Sequence, residues 1–423
     1  MSNVLSHTIH KINSTSLQMH KTDTNIYIVP MLIRIIYFIS IYLIGFYLTY
    51  HQVYTITPNA ISINITNYAS DTQQHIEFIR EFIAGEKYIP HPLWHILVKT
   101  YSIFFHITLE YASVLVSSSI LLFWVYLLYM TVNIFLKDSF TNLNYISREL
   151  LVLLIVTSIY TIGPLVYTPY SNLIYKGVGS PNIWHNVTLW MVKPFALLSI
   201  LFSIWAIQKE KLSYYLYTLI AIIFSIFAKP SFIMVFLPSI IILILTRYYI
   251  KRKNIYFLFL IISISISILL YQYLNTYTSS HSGGIVIDIL GVWRNFGINN
   301  IPLSIFLALG FPILFYAIYP NSFKNDFLIL AWLQTIFGII LYALFAEKGA
   351  HYSHGNFGWS YRIAMSILYI FSIIEFIKVF FLLEIKRRIF LLIILFIQIW
   401  IGIYYLVHIL MGQNPLYISF YWS

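Results

Sequence analysis

Long apolar stretches alternate with short polar connections along almost the whole chain. Their lengths approach the roughly 20 residues that an α-helix needs to cross a bilayer. A transmembrane β-barrel is disfavoured, because its strands alternate apolar and polar residues over about 10 positions. The pattern therefore predicts an all-α, polytopic integral membrane protein. We predict about 11 transmembrane helices, at 28–50, 110–136, 150–169, 187–207, 213–228, 232–246, 255–273, 301–319, 327–346, 361–381 and 389–411.

The composition agrees with this pattern and narrows the class of protein. Of the 423 residues, 60% are hydrophobic and 9% are charged, and the mean hydropathy is +0.80. A soluble protein is about 25% charged. These values exclude a soluble domain, a disordered chain and a nucleic-acid-binding protein as the class of this chain. The sequence has no cysteine, so disulfides, a cysteine nucleophile and an iron–sulfur cluster are excluded as well.

Basic residues predict which side of the membrane each connection faces. If 28–50 is the first span, the two densest basic clusters, 247–253 and 386–388, fall on the same side as the N-terminus. Because cytoplasmic connections carry an excess of Lys and Arg, we expect the N-terminus inside a bacterial cytoplasmic (inner) membrane. The predicted domains are a cytoplasmic segment 1–27, a transmembrane domain 28–411 and an outer tail 412–423.

The first outer connection, 51–109, is the largest one and is predicted to hold two surface-lying helices. Segment 72–84 has apolar residues at helical spacing with charged residues between them, which predicts an amphipathic helix. Segment 92–107 is apolar as well, but counting it as a span would place the 247–253 cluster outside. We therefore predict that it lies on the outer membrane surface.

An acid and an imidazole begin the first of these helices. Asp71 and His75 are four residues apart, so they share one helical face. A carboxylate and an imidazole so placed can hold one proton between them or bind a cation together. The alternative interpretation is that Asp71 caps the helix and that His75 is an interfacial polar residue.

Polar and aromatic side chains also collect in later outer connections. Trp184, His185 and Asn186 follow a turn that contains glycine and proline, and they offer a stacking surface and hydrogen bonds to a sugar. His354 and Asn356 lie in the most polar and aromatic stretch of the chain, 347–362. Such a stretch favours a sugar or diphosphate pocket.

The paired histidines of that last stretch raise the question of a metal. His351 and His354 are three residues apart, which suits zinc, yet no third ligand stands at zinc-like spacing. We therefore predict no metal site there.

Three basic residues of the outer connections are candidates for binding phosphate: Lys193, Lys229 and Arg294. A lysine at a membrane edge either extends its ammonium group to water or binds a lipid phosphate. Lys229 stands at the tip of a hairpin too short to leave the membrane fully, so a functional role is favoured more there. Arg294 has a guanidinium group that binds phosphate in a bidentate manner.

In layout the chain resembles the integral-membrane glycosyltransferases of the GT-C superfamily. In that family an acidic residue comes early in a large first outer loop with surface-lying helices, and Asp71 and the two predicted helices occur in this order. Segments 180–186 (SPNIWHN), 229–232 (KPSF) and 354–359 (HGNFGW) are also similar to those of bacterial multispan proteins of this kind. The family's common pair of adjacent acids is absent, because Thr72 follows Asp71.

The resemblance implies inverting transfer of a sugar from a polyprenyl-phosphate donor to a glycan, lipid or protein acceptor on the outer face. Asp71 is then the general base, His75 assists it, and no nucleic acid takes part. A divalent cation, Mg²⁺ or Mn²⁺, stays open as a cofactor. The implied donor-phosphate ligands are Lys193, Lys229 and Arg294, and the implied sugar and acceptor ligands are Trp184, His185, Asn186, His354 and Asn356.

Two other functions fit the same pattern. An O-antigen or polysaccharide polymerase also has many helices and a lipid diphosphate donor, but is expected to depend on outer arginines. A flippase or transporter of lipid-linked glycans is expected to carry charges at mid-membrane, and the sequence places few there.

Overall fold

Helices make up most of the chain, as the apolar stretches predict. The structure is a computed structural model that describes residues 2–54, 71–86, 88–166, 177–248, 252–277 and 284–412, without the side chains of 2–27, 252, 277, 350, 351 and 353. It is 83% helical. The predicted outer tail beyond residue 412 lies outside the described residues.

Every predicted span overlaps a helix of the described chain, but the spans 150–169, 213–228 and 232–246 fall on helices of 17 residues. Eight of the described helices are long and apolar enough to cross a membrane. The architecture is that of an all-α polytopic membrane protein. In chain order the helices are α1 (Ser2–Tyr54), α2 (Asp71–Ile83), α3 (Leu93–Phe105), α4 (Leu109–Leu136), α5 (Tyr145–Thr161), α6 (Val187–Lys209), α7 (Leu212–Ala228), α8 (Ser231–Arg247), α9 (Arg252–Tyr277), α10 (Gly291–Asn295), α11 (Ile301–Ile318), α12 (Asp326–Leu344), α13 (Gly358–Val379) and α14 (Ile385–Leu410).

Helices α2 and α3 are the two short helices predicted for the first large connection. Each has 13 residues, so each is roughly 20 Å long, against a hydrocarbon core of about 30 Å. On α2, Ile76 and Ile79 are buried while Phe82 and Ile83 are exposed. Gly85, in the left-handed conformation, ends this helix where the sequence predicts its end. Neither helix is long enough to cross.

Consecutive long helices run in alternating directions, so their ends form two groups. At one group of ends, which we call the opposite end, Arg34 of α1 forms a bidentate ion pair with Glu149 of α5. There too, Arg247 at the end of α8 pairs with Asp326 at the start of α12. The other group of ends, which we call the site end, includes the start of α6, the α7–α8 hairpin and the start of α13.

A small sheet at the site end departs from the all-α expectation. Strands β1 (Ile285–Ile287) and β2 (Phe345–Glu347) pair antiparallel, with Val286 opposite Ala346. They link the connection before α11 to the connection after α12. The Tyr352 hydroxyl donates to the Asp288 carboxylate at 2.6 Å and ties the two connections further. Each strand has only three residues, IVI and FAE, too few for the sequence pattern to distinguish a strand from a loop.

Helix α11 is broken near its middle, and side chains of other helices replace the lost backbone hydrogen bonds. Pro312 has no N–H to donate to the Ala308 carbonyl, which accepts a hydrogen bond from the Tyr369 hydroxyl at 2.8 Å instead. The Phe311 N–H donates to Gln398 Oε1 at 3.1 Å, and Gln398 Nε2 donates to the Tyr369 hydroxyl at 2.7 Å. Side chains must supply these hydrogen bonds in a bilayer, because no water is present there to bond to the free backbone groups.

We expect Gln398→Leu to lower the midpoint of thermal denaturation in detergent, because it leaves the buried Phe311 N–H without an acceptor. An unsatisfied buried group costs about 1–3 kcal/mol. Gln334 is the matched control: both glutamines are 0% exposed, but Gln334 makes no side-chain hydrogen bond to any described residue. Gln334→Leu should therefore leave the midpoint unchanged or raise it. Equal losses for the two variants would contradict this account of the broken helix.

Candidate functional site

A chain of hydrogen-bonded side chains at the site end joins α2 to the α7–α8 hairpin. Asp71 Oδ2 accepts a hydrogen bond from Asn186 Nδ2 at 2.6 Å. Asn186 Oδ1 accepts from the Thr188 hydroxyl at 3.0 Å, and Lys229 Nζ donates to that hydroxyl oxygen at 2.9 Å. The Asp71 N–H also donates to the His185 carbonyl at 3.1 Å. The predicted site residues Asp71, Asn186 and Lys229 are therefore part of one network.

Local structure explains where two of these side chains stand. Asn186 is the N-cap of α6, because its Oδ1 accepts from the Leu189 N–H at 2.8 Å, and asparagine is a preferred N-cap. Lys229 follows the last residue of α7, and Pro230 starts the turn into α8. The tight hairpin that the sequence predicts at 228–231 is confirmed, and it holds Lys229 inside the helix bundle.

Two buried cations lie against one aromatic ring beside this network. Lys229 is 7% exposed and Arg362 is 4% exposed. Lys229 Nζ lies 4.5 Å from the centroid of the Trp359 ring, and Arg362 Cζ lies 5.1 Å from the same centroid. The Tyr342 ring lies 5.7 Å from Arg362 Cζ. A tryptophan face stabilises a cation, but a second cation close by adds repulsion. Together with the half-buried Asp71 the cluster has an excess of positive charge, which suits an anion.

The ionisation of Lys229 follows from its surroundings. Burial lowers the pKa of Lys229 to about 8; the Asp71 carboxylate opposes this shift and the Arg362 guanidinium adds to it. Lys229 is therefore still mainly protonated at pH 7, and it loses its proton in the weakly alkaline range.

Three histidines form a second cluster, next to the first. His75 Nδ1 lies 3.0 Å from His95 Nε2, and the His91 ring lies 6.4 Å from the His75 ring and 6.3 Å from the His95 ring, centroid to centroid. Burial lowers the pKa of His95 to about 4, so this imidazole is neutral at pH 7. The sequence predicts that Asp71 pairs with His75. The described hydrogen bonds instead join Asp71 to Asn186 and His75 to His95.

Lys193 and Trp184 are buried inside the protein, where both line a small internal cavity. Lys193 Nζ donates to the Pro181 carbonyl and to Asn182 Oδ1, each at 3.0 Å, so it holds the turn before α6. The buried Trp184 ring makes edge-on contacts with the Tyr160 ring, at a centroid distance of 5.5 Å, and with a neighbouring tryptophan. In this structure both predicted ligands have structural contacts, because the connection that carries them folds into the bundle.

Three other predicted ligands lie at the surface of the site end. Arg294 of α10, His354 and Asn356 are exposed. Asn356 Nδ2 donates to Glu347 Oε2 at 2.5 Å. The predicted sugar ligand His185 is buried beside Asn186, and its carbonyl is the group that contacts Asp71. The side chain of His351 is not among those that the structure describes.

The surroundings of Asp71 do not fit a divalent cation. Asn186 directs an amide N–H at the carboxylate, and the charge of Lys229 is close enough for the two groups to influence each other. Mg²⁺ and Mn²⁺ prefer several oxygen ligands. Among the residues that the structure describes, no group of three or more His, Cys, Asp or Glu side chains is placed to hold a metal ion.

Arg362, Trp359 and Thr188 belong to the site but are not among the residues predicted from the sequence. Trp359 and Arg362 are three residues apart and therefore share a helical face. An ionisable residue inside a predicted span is a functional candidate by default. Arg362 is the second residue of the predicted span 361–381, so the sequence contains this signal.

Comparison of the chain with family models, with curated proteins and with solved structures finds no match.

The lowered pKa of Lys229 predicts that stability rises with pH in the alkaline range. Between about pH 8 and pH 10.5 the unfolded lysine is protonated while the folded one is neutral, so the unfolded state binds more protons. Stability should rise by at most about 1.4 kcal/mol for each pH unit in this window. Thermal denaturation from pH 7.5 to 9.5 measures this rise. It should be smaller in Lys229→Met than in the wild type, and unchanged in Lys324→Met, which alters an exposed lysine.

Parallel pH profiles for the wild type and Lys229→Met would show that Lys229 is not the titrating group.

Proposed function

We propose that this chain is a membrane glycosyltransferase of the GT-C type. It transfers a sugar from a polyprenyl-phosphate donor to a glycan, lipid or protein acceptor at the site end. The observation that supports this most is the pair of buried cations, Lys229 and Arg362, beside the carboxylate of Asp71. Two buried cations on the same ring repel each other, so an anion bound beside both of them would be stabilised. A phosphate on a lipid chain is an anion that can enter from the bilayer.

The two cations would hold the donor phosphate in different ways. Arg362 offers a planar guanidinium that binds phosphate oxygens in a bidentate manner, and Lys229 offers a compact positive charge. Trp359 lies against both groups and keeps them side by side. Negative charge grows on the phosphate as the bond to the sugar breaks. Positive charges already in place stabilise that transition state.

Asp71 would act on the acceptor. The hydrogen bond from Asn186 fixes one carboxylate oxygen, and the carboxylate takes the proton of the acceptor hydroxyl. The hydroxyl oxygen forms a bond to the anomeric carbon, and the electron pair of the old bond leaves with the phosphate. The configuration at that carbon is inverted in this single step. His75 lies one helical turn from Asp71 and is bonded to His95, so it can assist in moving the proton away.

The site end would face outward from a bacterial inner membrane. Arg247 and the exposed Lys386 and Arg387 belong to the opposite end, which favours a cytoplasmic position for that end by the positive-inside rule. In this orientation α2 and α3 lie at the outer surface of the bilayer. The exposed Phe82 and Ile83 of α2 and the exposed Phe104 of α3 then contact lipid.

We expect Asp71→Asn to lose transfer of a labelled sugar from polyprenyl-phosphate sugars by about 10²–10⁴-fold, the usual contribution of a general base. Membranes that contain the wild type and each variant provide the assay, and size exclusion in detergent checks folding. Glu77→Gln is the control, because Glu77 is an exposed acid of the same helix. It should keep full transfer.

Full transfer by a folded Asp71→Asn would contradict the proposed base. Asp71 would then be a helix cap, and the polysaccharide polymerase would become the favoured function. Absence of transfer in the wild type with every polyprenyl-phosphate sugar would contradict the glycosyltransferase itself.

A further inference from the structure

The turn between α13 and α14, at the opposite end, exposes apolar side chains to an unusual degree. Residues Phe380–Leu382 form one 3₁₀ turn there. Phe381 is 85% exposed and Leu382 is 76% exposed, the highest values among the large apolar side chains that the structure describes. Both follow Val379, the last residue of α13, and they form the end of the apolar stretch Gly358–Leu382, which is long enough to cross the membrane.

Cations surround this apolar tip. Arg388 Cζ lies 5.4 Å from the Phe380 ring centroid and 5.9 Å from the Phe381 ring centroid. Lys386 and Arg387 directly precede Arg388 on α14 and are exposed. Glu384 is the nearby acid and pairs with Arg387 at 3.3 Å, but both side chains are largely exposed, so that pair is weak. The tip therefore keeps a clear positive excess.

The depth of the turn in the membrane follows from the two helices that it joins. Both α13 and α14 are long enough to cross, so their shared turn lies where the hydrocarbon core meets the lipid headgroups. Apolar side chains are stable on the hydrocarbon side of this boundary, and lysine and arginine are stable on the headgroup side. A polypeptide partner in water would cover the aromatic tip but would not match this layered order of apolar and cationic groups.

We propose that this turn, comprising Phe380, Phe381, Leu382, Lys386, Arg387 and Arg388, binds the headgroup of an anionic phospholipid. In the complex Phe381 and Leu382 insert among acyl chains, and the three cations of α14 contact the lipid phosphate and its neighbours. The site lies at the end of the bundle away from Asp71 and Lys229. It does not depend on the glycosyltransferase proposal.

Competition between two lipids tests this site. The detergent-purified full chain, stripped of lipid, is mixed with equal amounts of dioleoyl-phosphatidylglycerol and dioleoyl-phosphatidylcholine, and native mass spectrometry counts the lipids retained. We expect the wild type to retain phosphatidylglycerol preferentially. The Lys386→Gln, Arg387→Gln, Arg388→Gln triple variant should bind it at least tenfold more weakly, because each basic residue near a lipid surface contributes separately.

The control removes the same charge from the same end without touching the turn. It is a triple variant that changes Lys137, Lys211 and Lys324, three exposed lysines of separate connections, to glutamine. It should keep the phosphatidylglycerol affinity of the wild type to within about twofold. A double variant, Phe381→Ser with Leu382→Ser, keeps every cation and should weaken binding several-fold, because both side chains insert among the acyl chains. This double variant serves as the test if the basic triple variant does not fold.

Equal retention of the two lipids by the wild type would overturn the proposal. So would an equal loss of phosphatidylglycerol in the control and in the basic triple variant, since binding would then follow net charge and not this turn.

Discussion

The ammonium group of Lys229 is buried away from water, and the arrangement of the site end depends on the contacts that stabilise this charge. A buried charge is costly unless it finds hydrogen bonds and opposite charge. Lys229 finds them in Thr188, in the Trp359 ring and in the nearby Asp71 carboxylate. The same contacts fix the start of α6 to the α7–α8 hairpin and to α13. The Lys229 ammonium group, which is costly to bury, therefore also brings the candidate catalytic side chains together.

The same physical constraint acts in the bundle core. Where Pro312 breaks α11, Tyr369 and Gln398 supply the hydrogen bonds that the backbone has lost. Inside a bilayer no solvent could do this. The polar side chains of the core and those of the site end differ in one respect. The core side chains satisfy backbone groups of the protein, whereas Lys229 and Arg362 are two buried cations packed against one tryptophan ring.

The sequence predicts the helices well because a membrane-crossing helix is a local feature of about 20 apolar residues. It also identifies Asp71, Asn186 and Lys229, whose polar character stands out against apolar surroundings. It does not show that Lys193 folds inward onto the Asn182 turn, nor that Arg362 joins Lys229. Those arrangements arise from contacts between residues far apart in the chain, as in the Asn186–Asp71 hydrogen bond over 115 positions. Periodicity carries no information about such contacts.

The most direct test of the account is whether the buried arginine, and not the exposed one, binds lipid-linked phosphate. Binding of polyprenyl phosphate to the purified chain would be measured for the wild type, Arg362→Gln and Arg294→Gln. We expect Arg362→Gln to weaken binding at least tenfold, since a hydrogen bond to a charged group contributes about 1.5–3 kcal/mol, and Arg294→Gln to change it little. Strong loss in Arg294→Gln with wild-type binding by a folded Arg362→Gln would contradict the assignment of Arg362 to the phosphate.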